Sequence, residues 1–175
     1  MALELDRERI AAVVAAVADR LPGEWLLVGG ALVALWIEPR RTTEDVDLVG
    51  LAGSAAERLA LLELAADLGL PVEALNSAAD FFVHRIAGWR EETELFHAGA
   101  CSKILRPTPT LFVLLKVSRL SERDLADCLG AVAKAKAEGL RLDRARIQDA
   151  LAALPVAEDA AVAERRAVLR AALSP

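Results

Sequence analysis

Tyrosine is missing from this chain, histidine and cysteine occur twice each, and aromatic residues make up only 4% of its 175 positions. With so little aromatic surface, Ala and Leu supply most of the hydrophobic content, which favours helix-rich structure around a core of small residues. Cys101 and Cys128 lie far apart with no Cys-x-x-Cys or Cys/His spacing, so both read as structural thiols in preference to a disulfide framework or a zinc site. Long apolar runs are missing too. Stretches such as residues 11–17 and 111–115 fall far short of the roughly 18 to 20 a membrane span requires, and no membrane partner is expected. A basic excess is also lacking: 21 Lys and Arg against 26 Asp and Glu leave a net charge of -5, which argues against a tight nonspecific grip on nucleic acid. The opening residues carry acids where a signal peptide would have a basic region and an apolar core, so the expected compartment is cytoplasmic. Without Gly/Ser linker, low-complexity tail or repeat, 1–175 reads as a single domain, long enough to bury about 70% of its unfolded surface.

What is present has a clear order. Residues 5–21 are Ala-rich with helical spacing, and Pro22-Gly23 stops them. Residues 25–28 form a short apolar strand ending at Gly29-Gly30, and 31–37 have helix-forming composition until Pro39 forces an exit. Residues 45–49 alternate polar and apolar as a half-buried strand does. Ser54 and Glu57 make a capping box for a helix to residue 68, a third strand is predicted over 81–86, and 93–97 with 102–105 predict a hairpin about Gly99. From Thr108 the pattern is helical: Thr108 as N-cap with Pro109 first in the helix, Ser121 capping 121–137, Asp143 opening 143–154, and Pro155 opening a last helix. The fold class this predicts is α+β: a small mixed sheet with packed helices over 1–107, then an all-helical part over 108–175.

Two features carry chemistry. In a strand, residues i and i+2 share a face, so Asp45 and Asp47 are expected to project together while Val46 and Leu48 turn to the core. Paired carboxylates attract Mg²⁺, and a Gly-Gly turn lets main-chain N–H groups approach a phosphate. Separately each motif is more often structural. Their order adds weight: apolar strand, Gly29-Gly30, helix, then Asp-x-Asp on the next strand.

That order resembles the signature of the polymerase-β-like nucleotidyltransferase superfamily. The extended form Gly29-Gly30, Arg41-x-Thr43-x-Asp45-x-Asp47 is similar to its bacterial branch of AbiEii-type toxins and their uncharacterised relatives. A second block, Lys116 followed by Arg123-Asp124-x-x-Asp127, is similar to a helical element of that branch. The resemblance implies a nucleotidyltransferase core that transfers NMP from an NTP to an acceptor hydroxyl of RNA, protein or a small molecule. It implies one or two Mg²⁺ ions on Asp45 and Asp47, a phosphate turn at Gly29 and Gly30, and Lys116 on the triphosphate. Arg41 and Thr43 would orient the loop or the phosphates. The implied setting is toxin–antitoxin or phage defence, with a cognate antitoxin or DNA-binding partner.

The chain departs from that pattern in two places. Gly29-Gly30 stands where many relatives have Gly-Ser, which removes a hydroxyl. The third carboxylate, implied on a later strand as general base or metal ligand, has Asp80 as first candidate, then Glu92 and Glu94. Local physics also offers plain alternatives. Lys116 follows four apolar residues and must either snorkel outward or meet an anion. Asp124 and Asp127 lie at i and i+3 with Arg123 near, which an ordinary ion-pair cluster explains equally well, and Asp124 can cap opposite Ser121. His84, His97 and the three Trp residues read as structural. A nonenzymatic relative that binds nucleotide or a protein partner is the competing function. A dinucleotide domain is disfavoured, since Gly29-Gly30-Ala31 lacks the GxGxxG spacing.

Overall fold

In a computed structural model describing residues 4–174, Asp6 starts the first helix by accepting the Arg9 N–H at 2.9 Å. This helix, α1 (Arg7–Arg20), buries Ile10, Val13, Val14 and Val17 at helical spacing. The chain then enters β1 (Gly23–Val28), whose last four residues are all buried. Burial on both faces explains why β1 reads as an unbroken apolar run instead of an alternating one. It passes without a loop into α2 (Gly29–Leu32), which widens into a π-helical turn over Val33–Ile37. The wide turn closes with the Glu38 N–H on the Val33 carbonyl at 2.8 Å, so the helix ends just before Pro39 would break it.

The described residues divide into two compact units between Pro107 and Thr108. The first unit adds β2 (Val46–Gly50), α3 (Ala55–Asp67), β3 (Leu75–Asn76), the single turn α4 (Asp80–Val83), β4 (Thr93–Ala98) and β5 (Ser102–Pro107). The five strands make one mixed sheet in the order β3-β2-β1-β5-β4. β1 is antiparallel to β2 and parallel to β5, while β2 and β3 run parallel. The β4–β5 hairpin meets the end of α1: the Cys101 N–H donates to the Ala18 carbonyl at 3.0 Å and the Ala100 N–H to Asp19 Oδ1 at 2.9 Å. The first bond satisfies a carbonyl at a helix end that lacks an intrahelical partner. The approach is so close that a Cβ at Gly99 would lie 2.5 Å from the Ala18 carbonyl carbon.

The second unit is helical: α5 (Pro109–Leu114), α6 (Glu122–Glu138), α7 (Arg144–Ala153) and α8 (Ala160–Ala172). Thr110, buried at the start of α5, accepts the Asp143 N–H at 2.9 Å and so ties α5 to the head of α7. The buried residues of α6 are Asp124, Asp127, Cys128, Ala131, Val132 and Ala135, a stripe at three- and four-residue spacing. No helix among the described residues is long and apolar enough to cross a membrane.

Three expectations need correction. Residues 81–86 are not a strand: α4 and following turns occupy them, with Phe81 and Phe82 both exposed and only Val83 buried at 0%. A run lacking alternation has no sheet face to offer, and the edge position goes to Leu75–Asn76. The strand expected from Asp45 starts at Val46, so Asp45 lies just ahead of β2 and Asp47 within it. Pro155 does not open the last helix. Asp159 does, accepting the Ala161 N–H at 2.8 Å, while the Pro155 carbonyl is bonded by Arg166 Nη1 at 2.6 Å.

Candidate functional site

Asp47 owes its position to sheet register. Across β1–β2 it faces Val28, the last residue of β1, and the next residue, Gly29, turns the chain with φ +69°. That left-handed conformation suits glycine, and the space matters as much. A Cβ on Gly29 would run into Asp47 Oδ2, so the carboxylate rests against bare main chain. A Cβ on Gly30 would lie 2.7 Å from Thr43 Oγ1. Thr43 Oγ1 in turn donates to Asp45 Oδ1 at 3.1 Å. Thr43 is itself held by a two-bond bridge to buried Leu5, at 2.7 and 3.1 Å.

Gly29, Gly30, Thr43, Asp45 and Asp47 therefore form one contiguous group, each half-buried and open to solvent. Val28, at the N-cap of α2, gives no side-chain cap. Arg41 is half-buried two residues before Thr43, its N–H on the Glu38 carbonyl at 2.9 Å. Chemically the group offers hard carboxylate oxygens packed against glycine main chain, a setting suited to cations.

The expected third acid does not join it. Among the described residues, no three His, Cys, Asp or Glu side chains gather in a way that could hold a metal ion. Asp80 starts α4, pairs with His84 at 3.0 Å, and lines a shallow cleft with Trp25, Gly50, Ser54, Arg58 and Ser77. Gly50 is the far end of β2 from Asp47, about 10 Å along the strand. Glu94 on β4 binds Arg106 at 2.6 Å, whose guanidinium sits 4.4 Å over the Trp36 ring. Glu92 ends a short 3₁₀ turn before β4.

Lys116 belongs to the second unit and meets anions of the protein's own. Its Nζ donates to Asp124 Oδ1 at 3.1 Å and to Asp127 Oδ2 at 2.9 Å. Asp124 is 1% exposed and accepts further bonds: Arg119 Nε and Nη2 at 2.7 and 2.8 Å, and the Ser121 N–H and hydroxyl at 3.1 and 2.8 Å. Burial by itself would raise the Asp124 carboxyl, but the Arg119 and Ser121 hydrogen bonds and the Lys116 charge outweigh it and hold the group well below the usual carboxylate range. Arg119 is raised in return, chiefly by its bond to Asp124. Burial dominates at neighbouring Cys128, pushing the thiol up to about 12 and leaving it inert.

Arg123, expected beside these acids, is on the exposed side of α6. Arg119, from the turn before the helix, takes its place. A signal for this was available, since Asp124 and Asp127 fall on the N-terminal extension of the α6 apolar stripe. Acids on a buried stripe need internal partners. Asn76, which register sets beside Asp47, left no such signal. Compared with known proteins, the chain matches no family model, no curated protein and no solved structure.

Proposed function

We propose that this chain is a Mg²⁺-dependent nucleotidyltransferase that carries NMP from an NTP to an acceptor hydroxyl. The observation that supports this reading best is the Asp47 carboxylate packed on Gly29, with Asp45 secured by Thr43 in the same group. Mg²⁺ usually takes one or two protein carboxylates and leaves its remaining positions to water and substrate phosphates. Two half-buried carboxylates, one of them packed on Gly29, fit that requirement. When bound, the ion neutralises charge on the phosphate oxygens in the transition state.

The chain's own residues then have separate tasks. Asp45 and Asp47 supply the ligand oxygens, Thr43 fixes the orientation of Asp45, and the Gly29-Gly30 main chain receives the phosphates. Arg41 orients them. The acceptor oxygen bonds to the α-phosphorus as the bond to the bridging oxygen breaks, pyrophosphate departs, and the hydroxyl proton passes to solvent. Lys116 receives no phosphate in this scheme, because its ammonium already serves two carboxylates.

A second reading, nucleotide binding without turnover, is favoured by one observation: no third acid completes the pair among the described residues. The discriminating experiment incubates the protein with α-labelled NTPs, Mg²⁺ and RNA, protein and small-molecule acceptors. Transfer that falls about 10³-fold in Asp45→Asn and Asp47→Asn supports the enzyme, since a metal clamp is worth several kcal/mol. Mg²⁺-dependent nucleotide binding with no transfer across the panel supports the second reading. No nucleotide affinity at all removes both.

A further inference from the structure

The sheet puts a particular residue beside Asp47. β2 and β3 are parallel neighbours with Val46 opposite Leu75 and Asp47 opposite Asn76, and register partners on adjacent strands project from the same face. Asn76 is half-buried and is the only asparagine in the chain. Its Oδ1 accepts the Ala78 N–H at 3.0 Å, an Asx turn that ends β3, while Nδ2 makes only a long 3.4 Å bond to the Glu73 carbonyl. An amide therefore stands beside Asp47 on the same face of the sheet.

We propose that Asn76 is the third residue of this site, and that its neutral amide makes the site accept a divalent cation only together with the phosphates of a nucleotide. The inference rests on the nucleotide-binding reading above. Its physical basis is charge count: two carboxylates and an amide present one negative charge fewer than three carboxylates, and affinity for hard cations follows ligand charge and number. Phosphate oxygens then supply the missing charge. As a positioning residue, Asn76 uses its Nδ2 to hold a phosphate oxygen or a carboxylate, which an acceptor-only Asp does not do.

Asn76→Asp keeps the turn, because a carboxylate oxygen accepts the Ala78 N–H equally well. The test titrates Mn²⁺ by electron paramagnetic resonance into the full chain, with and without a nonhydrolysable NTP analogue, for wild type, Asp47→Asn, Asn76→Asp and the double variant. Wild type is expected to bind Mn²⁺ tightly only with the analogue and only with Asp47 intact. Asn76→Asp is expected to bind free Mn²⁺ roughly ten-fold or more tighter, a gain lost in the double variant. A second readout uses wild type alone: the single Asn side-chain amide pair in a ¹H–¹⁵N spectrum should broaden with Mn²⁺ and the analogue, and not in Asp47→Asn. Unchanged Mn²⁺ affinity in Asn76→Asp, or an unbroadened Asn76 amide, with wild-type binding still Asp47-dependent, overturns the role of Asn76 and leaves the nucleotide reading standing. No Asp47-dependent binding in any protein overturns both.

Discussion

At the scale of single residues, Gly29 is where main-chain conformation and site chemistry meet. Gly29 and Gly53 have nearly the same φ, +69° and +67°, but their surroundings differ. A Cβ at Gly53 would meet nothing within 4 Å, whereas one at Gly29 would run into the Asp47 carboxylate. Alanine in the left-handed region costs about 1–2 kcal/mol from conformation alone, so Gly53→Ala should lose that much and no more. Gly29→Ala should lose about 1 kcal/mol beyond it, as the carboxylate is driven out of place. Urea denaturation of the two variants measures the difference. Equal losses would mean that Asp47 does not rest on the glycine in solution.

At the scale of elements, α6 carries two acids on its buried face, and their stability depends on the cations that come to meet them. The folded chain holds Asp124 well below the ordinary carboxylate range, so its ionised form favours folding. That contribution is complete above the unfolded value of about 4 and is lost progressively as pH falls towards the lower folded value. Asp124→Asn should lose about 3 kcal/mol at pH 7, because Lys116 and Arg119 keep their charges without the carboxylate. The gap from wild type should then close by about 1.4 kcal/mol per unit below pH 4. Denaturation at pH 3, 5 and 7 checks this, and a gap independent of pH would sink it. The same elements divide what sequence can reveal from what it cannot. Ser54 with Glu57, Ser121 with Asp124 and Thr108 with Pro109 were legible because a capping signal spans three residues and needs no partner elsewhere. Residues 81–86 misled because apolar content there is not matched by burial, and Leu75–Asn76 was missed because two residues show no period. The Gly29-Gly30 and Asp-x-Asp motifs were visible, but register alone shows that Asn76 is the neighbour of Asp47.

At the scale of the whole molecule, charge is unevenly shared. Up to Pro107 there are 10 basic and 17 acidic residues, and from Thr108 there are 11 and 9. The acidic share includes the candidate site, so a polyanion approaching Asp45 and Asp47 meets a repelling field that only a divalent cation offsets locally. A mononucleotide with its cation passes that test more readily than an RNA backbone, which brings one charge per residue and no fixed metal. Nonspecific affinity for RNA comes almost wholly from basic contacts to phosphates and reaches about 10⁻⁴ to 10⁻⁶ M at physiological salt in proteins built for it. This chain should fall on the weak side of about 10⁻⁴ M for an unstructured RNA oligomer, with a shallow dependence on salt. Fluorescence anisotropy at two salt concentrations measures both quantities. Under the transferase proposal, weak binding would confine RNA acceptors to those held by base or shape contacts and otherwise direct the search to protein and small-molecule hydroxyls. Binding tighter than about 10⁻⁵ M with a steep salt slope would mean that the basic residues beyond Thr108 form a backbone-binding surface, and that the net charge misrepresents the molecule.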